Sequence, residues 1–510
     1  MTSKVSVWIL GDQLTPSHPA LVEAEKDVGK RNLRVLMIKG KGHLQRLAYH
    51  KKKLVLILSA MRHYAEELKK DGYKVDLIDA ENFTDGIQAH IEDHQPQKLY
   101  MMNASSFNGQ QFQHSVAQQF GIDTEILPNA QFLCNRFNPL PDKKPDDRVR
   151  QETFYREMRQ HFGILLDADG KPEGGQWNYD QKNRQPMPKG LDVPAVITFE
   201  PDSLTQGIMS FIENEFGGTG VVDGFNLAVD RRQALAAAKD FFEHRLCYFG
   251  TYEDAMSEEH IVLFHSMLSP YLNLGLLDPL ELAHMAEQSY IEGKVELNNA
   301  EGFIRQVIGW REYMFWQYQR LMPDLAEENY WGAERPLPDF FWNAKTEMNC
   351  LQHVINRVLE NGYLHHIERL MLLSNFFTLT GVNPQDVLKW FMCCFIDAYE
   401  WVMVPNVIGM GLYADGGKVG TKPYIASANY IHRMGDYCED CRFNHRERIG
   451  QDACPFNFLY WHFLLTHEVV LRENPRMALV LSYLKHLDHK ERESIAEYSQ
   501  EFLDSIEKID

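Results

Sequence analysis

The sequence lacks the features of membrane and secreted proteins. No run of about eighteen apolar residues occurs in its 510 residues, so we expect no transmembrane helix and no membrane partner. The first residues do not form a signal-peptide pattern. Eight cysteines are too few for a disulfide framework in a chain of this length, and they favour a reducing compartment. We therefore expect a cytoplasmic protein.

Basic residues are also scarce relative to acidic ones. The chain has 52 Lys and Arg against 71 Asp and Glu, which gives a formal net charge of −19. This balance argues against a uniformly basic nucleic-acid binder but leaves room for a local basic groove. The sequence has no internal repeat and no long low-complexity tract. Aromatic residues, in contrast, are abundant, and the length suffices for two or three domains with a large core.

Three of the eight cysteines stand in a metal-binding pattern. Two residues separate Cys438 from Cys441, and twelve more separate Cys441 from Cys454, which directly precedes Pro455. Thiolates at this spacing can bind one metal centre from a tight turn. The spacing fits a zinc ion and an iron–sulfur cluster equally, and the proline favours the cluster slightly. Buried cysteines without a metal are the remaining interpretation.

A tetrahedral centre needs a fourth ligand, which this loop does not supply as a cysteine. Cys350 is the preferred candidate, because we expect it near a helix start and on the hydrophilic side of that helix. The alternatives that stay open are Cys134, Cys247, the apolar pair Cys393 and Cys394, and His445.

The first 134 residues alternate apolar strands with amphipathic helices. Strands are predicted over residues 5–10, 35–38, 75–78, 99–102 and 124–127, with a helix over 53–70. This order predicts a parallel sheet with helices on both faces. Ligands of such sheets bind at the carboxyl ends of the strands. Gly11, Asp12 and Gln13, which follow the first strand, therefore form a possible small-molecule site, and a plain turn is the alternative.

The pattern divides the chain into three parts. These are an α/β domain over 1–134, an interdomain linker over 135–225 and a helical domain over 226–510. The linker is rich in Pro, Gly, Asp and Lys, which is typical of a solvated connection. It also carries arginines beside aromatic residues, such as Arg184 near Trp177, and this combination is a weak hint of a nucleic-acid contact.

One helix of the C-terminal half has a clear start. Asn383 can cap it, and the following proline suits the first turn. Helical spacing predicts that this helix carries Trp390, Asp397 and Trp401 along one face. A carboxylate among aromatic residues is costly to bury alone. We therefore expect a partner for Asp397, and Arg369 is the candidate.

Four stretches of the helical half, at residues 249–275, 303–313, 362–370 and 395–410, resemble the photolyase/cryptochrome flavoproteins. With the cysteines, the whole chain is similar to the bacterial iron–sulfur branch, the prokaryotic (6-4) photolyases. The resemblance implies an α/β N-terminal domain, a large all-α C-terminal domain that binds FAD, UV-damaged DNA as partner and a monomer. It also implies a 4Fe-4S cluster held by Cys350, Cys438, Cys441 and Cys454.

The resemblance assigns roles to residues of the cofactor pocket. Those implied to contact FAD are Tyr252, Ser266, Leu268, Ser269, Arg311, Arg369, Asp397 and Asn406. Arg311 would face the diphosphate, which suits a bidentate guanidinium. Arg369 and Asp397 would pair beside the flavin ring. His265 stands where many relatives have threonine, so we assign it no role.

Further residues are implied to contact the DNA lesion. Those on the substrate side are Gln306, Trp310, Met410 and Arg184, with a basic face guessed from Arg148, Arg150, Arg184 and Arg476. A tryptophan can stack on a base that has left the duplex. His366, and after it His365, would give a proton to the lesion, since the histidine pKa lies near neutral pH. Tyr424 would contact the lesion as a third catalytic residue.

Two features of the family's light chemistry are only partly matched. Trp390 and Trp342 match the route by which electrons reach the flavin, but Phe391 stands where relatives place a redox-active tyrosine. The branch also implies a 6,7-dimethyl-8-ribityllumazine antenna at Gly11, Asp12 and Gln13. Lys39 replaces the glutamate that relatives often have there, and residues 103–106 depart from their acidic turn. Three alternatives therefore stay open: this antenna, an antenna of another type, or none.

The implied function is blue-light-driven repair of (6-4) pyrimidine–pyrimidone photoproducts. Reduced FAD would give an electron to the lesion, and a histidine would give a proton. Two alternatives stay open. One is a cryptochrome-like photoreceptor with the same cofactors and little repair. The other is a helical, primase-like iron–sulfur module that binds nucleic acid without flavin chemistry.

Overall fold

A five-stranded parallel sheet forms the N-terminal part of the protein, whose computed structural model describes residues 5–507. The strands are β1 Val5–Trp8, β2 Leu33–Gly40, β3 Lys74–Ala80, β4 Lys98–Met102 and β5 Asp123–Leu127. Their order in the sheet is β3-β2-β1-β4-β5, and all neighbours are parallel. The strand order therefore reverses between β1 and β4, and ligands of such sheets bind at the carboxyl ends of the strands beside this point.

Helices cover both faces of this sheet, as the sequence predicts. They are α1 Pro19–Val28, α2 Lys41–Leu44, α3 Lys51–Lys70, α4 Phe83–His94 and α5 Phe107–Phe120. On one face, Val7 and Val35 pack in the core that includes α1 and α3. On the other face, Trp8, Leu36 and Ile38 pack against α4 and α5. The strands carry apolar side chains on both faces, so each face of the sheet packs against a layer of helices.

The segment between the two halves is folded rather than a bare connection. It contains α6 Gln151–Phe162 and α7 Ser203–Glu215. α6 buries Phe154 and Tyr155, and the Tyr155 hydroxyl donates to Glu301 Oε1 at 2.9 Å. α7 packs along α3. A solvated linker therefore describes only the irregular stretches around these helices, and the domain boundaries at 134 and 225 stay predictions.

The C-terminal half is helical. Its helices are α8 Arg231–His244, α9 Leu246–Phe249, α10 Ser269–Leu274, α11 Pro279–Ile291, α12 Leu297–Ile304, α13 Glu312–Leu321, α14 Asn349–Asn361, α15 His366–Glu368, α16 Asn375–Thr380, α17 Pro384–Cys394, α18 Glu400–Met403, α19 Ala428–Met434, α20 Pro455–Thr466, α21 Glu468–Leu471, α22 Ala478–Ser482 and α23 His489–Glu507. Among the described residues, no helix combines the length and apolarity needed to cross a membrane.

Three helical segments of this half have π-type hydrogen bonding, in which each bond spans five residues instead of four. These wide-turn segments are Arg305–Arg311, Arg369–Ser374 and Val404–Gly411. Each is continuous with an α-helix on at least one side. The sequence analysis did not predict them.

The helix capped by Asn383 is shorter than its spacing predicts. Asn383 accepts hydrogen bonds from the first turn, but α17 ends at Cys394. Phe395 is extended, with φ −105° and ψ 134°, so Asp397 and Trp401 do not continue the helical face of Trp390. This break carries Asp397 towards Arg369. The predicted pair is confirmed, although the predicted continuous helix is wrong.

Candidate active site

A cavity of about 520 Å³ lies at the centre of the helical half. All three wide-turn segments line it, through residues such as Trp310, Ser374 and Met410. An extra residue in a helical turn changes which side chains face one direction, and such turns often occur at functional sites. Helical periodicity alone could therefore not assign these side chains to one wall.

A bidentate ion pair forms part of the cavity wall. Arg369 donates from Nη1 to Asp397 Oδ1 at 2.9 Å and from Nη2 to Oδ2 at 3.0 Å. The Ser269 hydroxyl donates to Asp397 Oδ2 at 2.7 Å, and Asn273 Nδ2 donates to the Asp397 carbonyl at 2.9 Å. Arg369 Nε donates to the Leu364 carbonyl. These contacts hold the two charges in one geometry beside the cavity.

Arg311 presents unused donors at the same cavity. Its side chain is buried, and Nη1 donates to Glu312 and to the Gln131 carbonyl. Nε and Nη2 find no hydrogen-bond partner among the described residues. The guanidinium also lies over the rings of Phe132 and Trp401. Unpaired buried donors are costly, so the geometry suits a bound anion that accepts from them.

The remaining residues implied to contact FAD divide into two groups. Ser266 and Asn406 line the cavity with Ser269, Arg311, Arg369 and Asp397. Tyr252 and Leu268 do not: the Tyr252 ring packs beside the ring of Phe264, and the Leu268 side chain is buried in the core. For these two residues a role in FAD binding stays a prediction.

Three histidines lie together at one side of the cavity. His366 begins α15 and lines the cavity, whereas His365 is buried behind it. The rings of His265 and His365 stack at 4.4 Å and 8°, and His265 meets His366 edge-on at 5.1 Å. Desolvation of its ring by the cavity walls, with the charges of His365 and Arg184, lowers the pKa of His366 to about 3. His265 was not assigned by the sequence analysis, and its departure from threonine was the available signal.

A buried polar network connects His365 to the cysteine loop. His365 Nε2 lies 3.4 Å from Glu368 Oε2. Glu368 Oε1 accepts from Arg357 Nη1 at 3.1 Å and from the Tyr437 hydroxyl at 2.5 Å. Tyr437 immediately precedes Cys438. The position of the cysteine loop is thereby linked to the turn that carries the histidines.

The predicted substrate residues lie at the same cavity. Gln306, Trp310, Met410, Tyr424 and Arg184 all line it. The Arg184 side chain is about half exposed and has acidic neighbours, with Asp180 Oδ2 3.3 Å from its Nη2. Arg184 and Arg476 are close enough to depress the pKa of Lys422, after burial as the larger cause. Three basic groups therefore stand near one rim of the cavity.

An aromatic path runs from the surface to the cavity. Trp342 is 41% exposed and follows buried Phe341. Buried Trp390 donates from Nε1 to the Phe341 carbonyl at 3.1 Å and meets Phe391 edge-on at 5.3 Å. Phe391 lines the cavity. Trp390 and Phe391 are therefore in direct contact, Trp342 is joined to them through its chain neighbour Phe341, and phenylalanine is the last member of the path.

The four predicted cysteine ligands lie near one another. Burial, then the charges of Cys454, Cys438 and Cys441, raise the pKa of Cys350 well above its usual value. Cys350 is the second residue of α14 and is buried, so its predicted place on a hydrophilic side is wrong. No three of these four sulfurs lie within 4.8 Å of one another in the described structure.

A second cavity, of about 310 Å³, lies at the carboxyl ends of β1, β2 and β4. Gly11 and Asp12 line it, together with the aromatic rings of Trp8, Phe112 and Tyr399. Gln13 does not line it. Its side chain is turned towards β4, where Nε2 donates to the carbonyls of Met102 and Asn103. Gln13 thus fixes the loop after β1, and its contact with a ligand stays a prediction.

Three charged groups of this second cavity, Asp12, Lys39 and Lys53, already have partners. Ser105 Oγ donates to Asp12 Oδ2 at 2.7 Å, and Lys39 pairs with Asp79. Burial raises the pKa of Asp12. Lys53 is buried, donates to the Ala398 carbonyl at 2.5 Å, and has a pKa lowered to about 8 by burial. The cavity is therefore a mainly apolar space with aromatic rings in its walls, and these three charged groups are already paired.

Comparisons with known proteins agree with this architecture. A (6-4) photolyase of Agrobacterium fabrum is 42% identical over 479 residues, which cover 92% of this chain and 94% of that protein. The family described as deoxyribodipyrimidine photo-lyase-related protein matches residues 7–227. A bacterial class III photolyase from Agrobacterium tumefaciens has a TM-score of 0.55 at 15% identity over 85% of this chain and 86% of its own. A Synechocystis cryptochrome has a TM-score of 0.58 at 14% identity over 99% of both chains.

Proposed function

This chain belongs to the photolyase/cryptochrome family, and we propose that it is a (6-4) photolyase, an enzyme that uses blue light to reverse (6-4) photoproducts in DNA. One observation carries the proposal. A single cavity holds the Arg369–Asp397 pair, the unused donors of Arg311 and the exposed face of His366. These are the groups needed to bind an anionic cofactor and to give a proton beside it.

FAD is the cofactor that this cavity fits. The free Nε and Nη2 donors of Arg311 suit a diphosphate, and Arg369 supplies a fixed positive charge elsewhere in the wall. Bound at this site and reduced, FAD would supply light-driven one-electron chemistry to the lesion. Asp397 keeps Arg369 in place, and Ser269 keeps Asp397 in place. Trp390 and Trp342 supply electrons to the cavity from the surface.

His366 is the proposed proton donor. It lines the cavity, whereas His365 does not, so of the two predicted histidines only His366 has direct access to a substrate there. With a pKa of about 3, it is neutral at neutral pH in the ligand-free protein. Negative charge beside an imidazole favours its protonated form and raises its pKa. We therefore propose that His366 takes up its proton when cofactor and DNA fill the cavity.

Damaged DNA is the proposed substrate partner. The lesion must leave the duplex to reach a buried cavity, and aromatic side chains can stack on it there. Trp310 and Tyr424 are the proposed stacking and contact residues, with Gln306 and Met410 beside them. Arg184, Lys422 and Arg476 would contact phosphates at the rim. A local basic rim resolves how a chain with a net charge of −19 can bind DNA.

A 4Fe-4S cluster on Cys350, Cys438, Cys441 and Cys454 is proposed in preference to zinc. Zn–S bonds of about 2.3 Å in a tetrahedron place the sulfurs about 3.8 Å apart. The wider spacing of the four thiols supports a cluster, whose iron atoms stand between the sulfurs. We propose a structural role, since Tyr437, the neighbour of Cys438, donates a hydrogen bond to the buried Glu368 beside the histidines.

The second cavity is proposed to hold a flat heteroaromatic antenna, with 6,7-dimethyl-8-ribityllumazine as the first candidate. Its aromatic walls suit stacking, and its place at the strand reversal is where ligands of such sheets bind. We also propose that the protein acts as a monomer in the cytoplasm, where thiolate ligands stay reduced.

The test is repair of a synthetic oligonucleotide that contains one (6-4) photoproduct, under blue light, with a dark control and a cyclobutane-dimer substrate. Light-dependent repair of the (6-4) lesion alone is expected. Protein that carries reduced flavin and an intact cluster but repairs neither lesion would instead be a photoreceptor. Purified protein without flavin absorption would favour the primase-like alternative.

A further inference from the structure

A row of polar residues interrupts the apolar face of the sheet beneath α4. Ser6 of β1 and Arg34 of β2 are register partners, and Asp76 of β3 is in register with Leu36, two residues after Arg34. The side chains of Ser6, Arg34 and Asp76 therefore point to the same face. The residues that follow on this face, among them Trp8 and Leu36, are apolar and buried. Three polar side chains close together on an otherwise apolar face need an explanation by what they bind.

Helix α4 places two histidines over this row. His90 and His94 are four residues apart, so they lie on one face of the helix. Asp76 Oδ2 is 3.2 Å from His90 Nδ1 and 3.0 Å from His94 Nε2. The three ligand atoms lie within 4.8 Å of one another, which no other such group does in residues 5–507. The histidines thus converge on one carboxylate oxygen.

These contacts are close without being hydrogen bonds. His90 is almost completely buried, yet its Nδ1 has no hydrogen-bond partner, and neither has Asp76 Oδ2. Neither ring nitrogen is therefore aligned with the oxygen, although each lies about 3 Å from it. Ligand atoms of one metal ion have such a spacing. Metal–ligand bonds of about 2.0–2.1 Å in a tetrahedron place the ligand atoms about 3.3 Å from one another.

We propose that Asp76, His90 and His94 bind one divalent transition-metal ion, with Zn²⁺ as the expected occupant. Two imidazoles and a carboxylate form a ligand set that suits zinc. The side chains of Asp76 and His94 are about one-fifth and one-quarter exposed, so water can complete the coordination. The ion joins the edge strand β3 to α4 and is a structural site of the N-terminal half.

The surrounding groups orient the three ligands. Ser6 Oγ lies 2.7 Å from His90 Nε2, which leaves Nδ1 free to face Asp76. Arg34 Nη1 donates to Asp76 Oδ1 at 2.6 Å, so the positive charge occupies one oxygen and leaves Oδ2 for the ion. Such second contacts fix ring orientation and ligand geometry in metal sites.

This site is separate from both cavities described above. Its strand residues precede Trp8, Ile38 and the other lining residues by two to four positions, towards the amino ends of the strands. None of its five residues lines either cavity. The proposal therefore does not depend on the repair function.

Zinc uptake by the complete protein, with flavin and cluster in place, tests the proposal. The protein is equilibrated with one equivalent of ZnCl₂, desalted, and analysed for zinc and iron in the same sample by mass spectrometry. Wild type should retain one zinc per chain. His94→Ala and Asp76→Asn should weaken zinc binding at least tenfold, and Ser6→Ala by about tenfold. His114→Ala, which removes an exposed histidine of α5, is the matched control.

Three results would overturn the proposal. Wild type could retain no zinc, or His94→Ala and Asp76→Asn could retain as much as wild type. Zinc could also enter only as iron leaves, which would place it at the cysteines. Since His94 is partly exposed, its variant should fold, and unchanged iron and flavin contents verify this.

Discussion

The two cavities of this protein are built from different backbone and present different groups to a ligand. The central cavity is walled by helices with wide-turn segments, and Arg311 leaves two buried donors there without partners. The second cavity is formed by loops at strand ends, and its Asp12, Lys39 and Lys53 are already paired. Buried donors without partners, such as those of Arg311, favour a charged ligand. A cavity with paired charged groups and aromatic rings in its walls favours a ligand recognised by shape and stacking. Substitutions should therefore affect chemistry at the first cavity and mainly stability at the second.

The largest effect is expected at His366. His366→Ala removes the proposed proton donor, and loss of such a group costs about 10²–10⁴-fold in rate. Repair of the (6-4) lesion under blue light should fall by that factor while the flavin content stays unchanged. His114→Ala should repair as wild type does. Normal repair by His366→Ala would remove the chemical distinction between the two cavities.

Lys53 tests the second cavity through the pH dependence of stability. Burial lowers its pKa from about 10.5 to about 8, so between these values the unfolded chain binds more protons than the folded one. Stability should therefore rise with pH over this window, by about 3 kcal/mol for this group. The measurement is the free energy of unfolding at pH 7.5 and 10.

Lys53→Met should lose this dependence, because it has no proton to release. Lys69→Met, at an exposed lysine of the same helix, should keep the wild-type slope. An equal slope in wild type and Lys53→Met would mean that the buried lysine is not strained by its surroundings.

Arg311 tests whether the unused donors of the central cavity meet the cofactor. Arg311→Lys keeps the charge but loses the fork geometry, and a hydrogen bond to a charged group contributes about 1.5–3 kcal/mol. Flavin affinity, measured by titration of the flavin-free protein, should fall about 10- to 100-fold. Arg156→Lys, at an exposed arginine of α6, is the control. Unchanged affinity would place the diphosphate elsewhere.

The smallest effect is expected at Asp12. Asp12→Asn keeps an oxygen that can accept from Ser105, so the free energy of unfolding should change by less than about 1 kcal/mol. Repair under saturating light should persist, since Asp12 does not line the central cavity. The content of antenna chromophore, read from absorption, should fall. A large loss of repair would show that the two cavities act as one unit.

Much of the fold and part of the site follow from sequence. The strand pattern predicted a parallel sheet with two helical layers, and the cap at Asn383 and the Arg369–Asp397 pair were both predicted. These features depend on neighbouring residues, or on the rule that a buried charge needs a partner. The roles of the cofactor residues came from family resemblance. For Tyr252, Leu268 and Gln13, which do not line the two cavities, these roles stay predictions.

Three features could be identified in the sequence alone. They are the alternation of strands and helices that forms the parallel sheet, the cysteine spacing, and the residue types that suit a flavin and a proton donor. The wide-turn segments, the burial of Cys350, the stack of His265 on His365 and the convergence of His90 and His94 on Asp76 appear only in the folded structure. The reason is physical. Local patterns record contacts a few residues apart, whereas these features come from packing between elements distant in the chain, where one extra residue in a turn or one step of strand register decides which side chains meet.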